Sequence, residues 1–146
     1  MRVMGLDIGS QTIGVAISDE LGVTAQALKT IRRRSKQEDL QELSSLISKF
    51  DIGKIVVGLP LNMDGSQGKQ AERVLTWAGE LHQALQIPVL TWDERLSTVS
   101  ASKILLEADL SRKKRKKVID QVAAVIILQG YLDQTGRFHH DPYRTE

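Results

Sequence analysis

Cysteine is absent from this chain of 146 residues, prolines number three, and aromatic residues make up only 4%. Without cysteine, disulfides and thiolate metal sites are excluded, and a reducing compartment is compatible. No apolar run reaches the roughly 18 residues of a membrane span, and the N-terminus lacks the layout of a signal peptide. We therefore expect a cytoplasmic protein that does not associate with membranes.

The remaining composition is that of an ordinary globular protein, with 41% hydrophobic and 26% charged residues. The length predicts one domain with a sizeable core, which we place at residues 1–135. Residues 136–146 contain two His, a Pro and alternating charges, a pattern that predicts a flexible tail. The net charge of +2 is too small to indicate a partner, so the distribution of charge is more informative.

The hydrophobic pattern predicts three strands followed by helix, strand, helix, strand and helix. This order implies an α/β fold with a mixed five-stranded sheet: an antiparallel meander, extended by parallel strands through crossovers, with helices on both faces. We expect the first strand to be central. The predicted strands are residues 2–8, 12–18, 23–31, 54–59 and 88–92, and the predicted helices of this order are residues 35–50, 70–86 and 118–134. Residues 97–106, between the last strand and the last helix, are also predicted to be helical.

Asp7 is the anomaly of the first strand, because a carboxylate among apolar residues is costly unless its charge is compensated. Gly5, Gly9 and Gly14 surround it and leave room for another backbone or a substrate to approach. The alternative is a solvated carboxylate at the rim of a hairpin.

Two further acidic positions are predicted to meet Asp7, because ligand sites in such sheets lie beyond the carboxyl ends of the parallel strands. Asp93 and Glu94, at the first of these positions, directly follow the last predicted strand. Asp120 is predicted in the opening turn of the last helix, on the face of its small apolar residues. The alternatives are a surface pair of Glu94 with Arg95 and a dipole-stabilising role for Asp120.

Three converging carboxylates repel one another unless a hard cation lies between them. Oxygen ligands without His or Cys suit Mg²⁺ or Mn²⁺. Such a site typically hydrolyses phosphodiester bonds. The residues therefore predict a metal site formed by Asp7, by Asp93 or Glu94, and by Asp120.

Basic residues are clustered, and arrays of Lys and Arg bind polyanions through counterion release. Since aromatic residues are scarce, we expect recognition of the nucleic-acid backbone or shape rather than base stacking. The alternative for these clusters is that their charges are simply solvated. The loop at residues 60–68 has two interpretations of its own, a contact with substrate or an ordinary crossover connection. The candidates for nucleic-acid binding are Arg32, Arg33, Arg34, Arg95, Arg112, Lys113, Lys114, Arg115, Lys116 and Lys117.

Four motifs in order resemble those of the YqgF/RuvX family of ribonuclease H-like proteins, described as Holliday junction resolvases or pre-16S rRNA nucleases. The resemblance covers about residues 1–134. It rests on Gly5-Leu-Asp-Ile-Gly-Ser10 with Gly14-Val-Ala16, on Val57-Gly-Leu-Pro60, on Trp92-Asp-Glu-Arg-Leu-Ser-Thr98, and on Asp120 with Ala123-Ala124 and Ile127-Leu128-Gln129.

The resemblance implies a ribonuclease H-like sheet, with Asp7, Glu94 and Asp120 as catalytic acids. It implies a nuclease in ribosome biogenesis that processes precursor 16S ribosomal RNA, with structured DNA such as a Holliday junction as the other substrate. We expect a monomer or weak homodimer. Two alternatives stay open at this point: a non-catalytic nucleic-acid-binding module of the same fold, and an actin-like ATPase, which would need a second domain.

Overall fold

The computed structural model describes residues 1–96 and 112–139, and these form one mixed sheet with helices on both faces. The strands are β1 (Arg2–Ile8), β2 (Thr12–Ser18), β3 (Ala25–Arg32), β4 (Ile52–Leu59) and β5 (Val89–Asp93). The helices are α1 (Lys36–Phe50), α2 (Lys69–Leu85) and α3 (Arg112–His139), and Glu94–Leu96 forms a single 3-10 turn after β5.

The sheet has the order β3-β2-β1-β4-β5, so the predicted central position of β1 is confirmed. β1 pairs antiparallel with β2 and parallel with β4, and β4 pairs parallel with β5. The apolar, β-branched sequence of β4 explains its place inside the sheet, where both faces are covered. The mixed five-stranded architecture is therefore the one that the sequence predicts.

Alternating residues of β1 face two separate cores. Met4, Leu6 and Ile8 are buried with apolar side chains of α1 and α2. The other face of the sheet packs against α3, where Ala124 and other small or apolar residues are buried. Because side chains alternate along a strand, Asp7 lies on the α3 face and Ile8 on the α1–α2 face.

The predicted start of α1 is confirmed by its capping contact. The Ser35 hydroxyl accepts a hydrogen bond of 3.1 Å from the backbone N–H of Glu38. Such a cap satisfies one of the N–H groups that the first turn of a helix leaves without a partner.

The last helix differs from the prediction, which was too short at both ends. α3 begins at Arg112 rather than Val118 and extends through His139. Lys and Arg are good helix formers, so the basic run continues the helix instead of preceding it. Asp120 consequently lies in the third turn and not in the opening turn, which removes the helix-dipole argument for its charge. The helix predicted at residues 97–106 lies outside the described residues.

α3 lies unusually close to the sheet because Gly5 has no side chain. A methyl group at Gly5 would lie 2.7 Å from Leu128 Cβ and 3.1 Å from the carbonyl oxygen of Ala124. Both neighbours belong to the helix itself and cannot rotate away, so the helix would have to move. In the part of the chain that the structure describes, no helix is both long and apolar enough to cross a membrane.

We predict that Gly5→Ala lowers the free energy of unfolding by about 1–3 kcal/mol, the usual range for overpacking a core. Gly79→Ala is the matched control, because Gly79 lies in α2 with no atom within 4 Å of an added methyl group. That control should raise stability by about 1 kcal/mol through helix propensity. Denaturant unfolding measures both, and equal effects would show that α3 does not pack closely on Gly5.

Candidate active site

The sheet register brings Asp7 and Glu94 to one edge, on either side of Gly58. Leu6 pairs with Val57 in the parallel β1–β4 ladder, so Asp7 and Gly58 are neighbours at the next step. Gly58 in turn pairs with Trp92, and Glu94 comes two residues later, in the turn that follows β5. The carboxyl ends of three parallel strands therefore place two of the three predicted acids at the same edge.

Gly58 makes room for the Glu94 carboxylate. A methyl group on Gly58 would lie 2.8 Å from Glu94 Oε1 and 2.3 Å from Ile127 Cδ1 of α3. The carboxylate therefore lies over the backbone of β4 on the α3 face, which is also the face of Asp7. Asp7 is 9% exposed and Glu94 is half-buried, so both acids are partly removed from water.

Asp120 is placed by the backbone of α3 alone, because its side chain lies outside the described residues. Ile127 meets Gly58 near the end of β4, whereas the Tyr131 hydroxyl accepts a hydrogen bond from Lys54 near the start of that strand. The helix thus runs from the carboxyl edge of the sheet toward the amino edge. Asp120 precedes Ile127 by two turns, about 10 Å of helix, which directs it toward the edge that carries Asp7 and Glu94. The three-acid site stays a prediction.

Arg95 pairs with Asp93 rather than with Glu94. Its Nε and Nη2 donate hydrogen bonds of 3.0 and 2.7 Å to Asp93 Oδ2, and its Nη1 donates one of 3.3 Å to the carbonyl of Met63. The Arg95 hydrogen bonds lower the pKa of the Asp93 carboxyl. This pair fixes the turn that carries Glu94 to the loop between β4 and α2, so Arg95 holds structure in addition to its predicted contact with nucleic acid.

The other predicted cations divide into two groups. The Arg33 guanidinium donates a hydrogen bond of 2.6 Å to the carbonyl of Gly9, stacks on Trp77 and lies 3.8 Å from Asp39 Oδ2. Arg32 and Arg34 are exposed beside it. The side chains of residues 112–117 lie outside the described residues, so their contact with nucleic acid stays a prediction.

Sequence reasoning missed the role of Gly58 as the floor of this site. The signal was present, because a glycine within a run of buried β-branched residues marks a close approach of another group. The clamp between Asp93 and Arg95 was also missed. The pair spans the start of the 3-10 turn at Glu94–Leu96, and this turn was not predicted.

A family model described as "RuvX: Holliday junction resolvase" matches residues 1–134. The chain belongs to the RuvX family. Among its relatives, a Moorella thermoacetica protein is 57% identical over 137 residues, which cover 94% of this chain and 98% of that protein. A Halothermothrix orenii protein is 55% identical over 139 residues, 95% of this chain and 99% of the relative. Both relatives carry the name "Putative pre-16S rRNA nuclease".

Solved structures show the same fold at low sequence identity. The structure "T. thermophilus RuvC in complex with Holliday junction substrate" matches with a TM-score of 0.55 and 17% identity, over 93% of this RuvX chain and 96% of that chain. The fowlpox virus Holliday junction resolvase matches with a TM-score of 0.51 and 12% identity, over 94% and 99% of the two chains. The ribonuclease H-like fold implied by the sequence motifs is thereby confirmed.

We predict that Arg95→Gln raises the pKa of Asp93 toward its usual value, because the lost guanidinium is the main cause of the lowered value. A carboxyl whose pKa is lowered by folding stabilises the fold above its unfolded pKa, and this contribution is lost as the pH falls through the folded pKa. The variant should therefore be less stable than the parent at neutral pH, and the difference should vanish in acid.

Carboxyl carbon NMR titration measures the shift directly, and Asp19 is the internal control. The pKa of Asp19 is also lowered, by the backbone N–H groups of Val23 and Thr24, and should not respond to the substitution. An unchanged Asp93 pKa in the variant would mean that the clamp does not form in solution.

Proposed function

We propose that this RuvX-family chain is a divalent-metal-dependent endonuclease that hydrolyses phosphodiester bonds in the precursor of 16S ribosomal RNA. The observation that carries the proposal is that the strand register places Asp7 beside Gly58 while the Glu94 carboxylate lies over the bare backbone of Gly58. The name shared by relatives at more than half identity supports the substrate. Membership of this family sets aside the actin-like ATPase alternative.

The residues at this edge fit Mg²⁺ or Mn²⁺. Both described acids offer carboxylate oxygens, the donors that hard divalent cations prefer, and their cleft has a floor without a side chain. Asp7 and Glu94 would hold the metal, with Asp120 as the third ligand. A bound metal of this type activates water and stabilises the leaving oxygen of a phosphodiester.

The chain itself supplies rigid placement of these ligands. Asp7 lies on a strand that is paired on both sides, so its backbone position is fixed. Glu94 lies in a turn that the clamp between Arg95 and Asp93 holds in place. Ile127 covers the floor from the α3 side and limits the access of water from that direction. Ligands on rigid elements keep the geometry that catalysis requires.

Contacts with the nucleic-acid backbone are assigned in this proposal to the exposed residues Arg32 and Arg34 and to the basic run at residues 112–117. Lys and Arg release condensed counterions from phosphates, which makes affinity strongly dependent on salt. Recognition through phosphates fits a chain with 4% aromatic residues. Bases would then contribute little to the choice of cleavage site.

Asp7→Asn tests the catalytic acids. The variant should lose cleavage and most of the stabilisation by Mg²⁺, which in the parent should reach about 2.7 kcal/mol at a hundredfold excess over Kd. In chelator it should be no less stable than the parent, because one of two repelling charges is removed.

The control for this variant is Asp133→Asn, at an exposed carboxylate on α3. It should keep both cleavage and the metal response. Thermal unfolding with and without metal, together with a cleavage assay, measures all three properties. A variant that is less stable in chelator and responds normally to metal would identify Asp7 as a structural residue and overturn the proposed site.

A substrate panel tests the activity itself. Purified protein is incubated with precursor 16S ribosomal RNA, single strands and four-way DNA junctions, each with Mg²⁺, Mn²⁺ or chelator. We expect metal-dependent cleavage of the precursor RNA. Cleavage of junctions alone would favour the activity in the family description. Metal-independent binding of every substrate without cleavage would favour a non-catalytic nucleic-acid-binding module.

A further inference from the structure

A second concave surface lies on the opposite face of the sheet from the acids. It is a cleft of about 970 Å³ between the β1–β2 turn, the segment that joins β3 to α1, and α2. Its floor includes Ile8 and Trp77, both of which belong to the core beneath α1 and α2. We call it the basic cleft, because its walls carry Arg33, Lys36, Lys69 and Arg73.

Two of these four cations pair with other residues of the fold, and the other two make no ion pair among the described residues. Arg33 is engaged by Gly9, Asp39 and Trp77, and Lys36 pairs with Glu80 at 2.6 Å. Lys69 and Arg73 are exposed and make no ion pair in the part of the chain that the structure describes. They lie one helical turn apart at the start of α2, so their charges project from neighbouring positions on the helix. Two unpaired cations in a concave surface favour a ligand with successive negative charges.

The basic cleft and the acids share one rim of the sheet. Asp7 and Ile8 are consecutive residues on opposite faces, and Gly9 and Ser10 follow them in the β1–β2 turn that forms this rim. Ser10 follows Asp7 by three positions, at most about 11 Å of extended chain. Arg33 holds this rim, because it donates to the carbonyl of Gly9. A flexible polyanion whose reacting phosphate lies at Asp7 therefore needs only a short step to enter the cleft.

We propose that the basic cleft binds the phosphodiester backbone of the single strand that flanks the scissile phosphate, through Lys69 and Arg73. Its volume is at the upper end of the range for pockets that enclose a drug-sized molecule, which is enough for a short stretch of one strand. Trp77 is 8% exposed beneath Arg33 and offers no face for base stacking, so the cleft recognises phosphates. The assignment of a scissile phosphate rests on the proposed function, whereas binding in the cleft does not require catalysis.

The cleft also contains an acid whose removal should change the affinity for a strand in the opposite direction. Glu72 is exposed on the same wall and is a neighbour of Lys69 and Arg73 in the first turns of α2. A phosphate bound by the two cations would be repelled by this carboxylate. Lys69→Gln and Arg73→Gln should therefore weaken binding of a strand, whereas Glu72→Gln should strengthen it.

The test measures binding of fluorescent single strands in chelator, where metal-dependent cleavage is silent. The plot of log K against log salt has a negative slope. The magnitude of this slope should decrease by about 0.7 for each lost phosphate contact, hence by about 1.4 in the double variant. Lys49→Gln is the matched control, since it removes one exposed charge near the far end of α1. It should leave the slope unchanged, and thermal unfolding should show that all variants keep the fold.

A length series locates the contact relative to the cleavage site. Strands are shortened stepwise from either end, and in the parent the loss of flanking nucleotides on one side should weaken binding. The double variant should be insensitive to the same shortening. Equal slopes for parent and double variant, or weakening by Glu72→Gln, would overturn the basic cleft as a strand site. Failure of cleavage with intact cleft-dependent binding would instead overturn the proposed nuclease.

Discussion

The contact between α3 and the sheet occurs at backbone distance, and the candidate active site depends on it. Gly5 and Gly58 lie on adjacent strands, and a methyl group on either would overlap atoms of the helix. Gly130 allows the same close approach from the helix side, since a methyl group added there would lie 3.1 Å from the Trp92 ring. Glycine on both surfaces lets a buried helix approach more closely than side chains allow. The contact sets the height of the helix above the sheet, and with it the depth of the cleft between them.

That depth matters because burial reduces the solvation of a carboxylate and increases its need for a compensating charge. An acid at an open sheet edge is solvated, and it has little need of a cation. In this protein Asp7 is almost buried and Glu94 lies against Gly58, so both carboxylates are in a region of reduced solvation. Removing carboxylates from water without a compensating charge is costly, and a hard cation compensates it. Close helix packing therefore gives this edge the reduced solvation that the proposed metal site requires.

The sequence predicted the sheet well because its signals are local and repeated. β4 was recognisable from β-branched residues, and the Ser35 cap from its spacing to Glu38. The predicted start of the last helix, residue 118, was wrong because the basic run before it was not counted as helical, although each residue of that run is a good helix former.

The site was predictable only in part, for a different reason. Asp7 and Glu94 could be placed at one edge by strand order alone, since parallel strands end together. The clamp on Arg95 depends on a turn without a hydrophobic period, and the basic cleft assembles side chains from three separate segments. Neither leaves a pattern at fixed spacing.

The alternation of side chains along β1 ties the position of the acid to the register of this strand. A one-residue slip of this strand would exchange Asp7 and Ile8 between the faces, placing a charge among the core side chains of α1 and α2. Molecules with the wrong register should therefore fail to fold, and the folded population should consist almost entirely of molecules with a correctly placed acid.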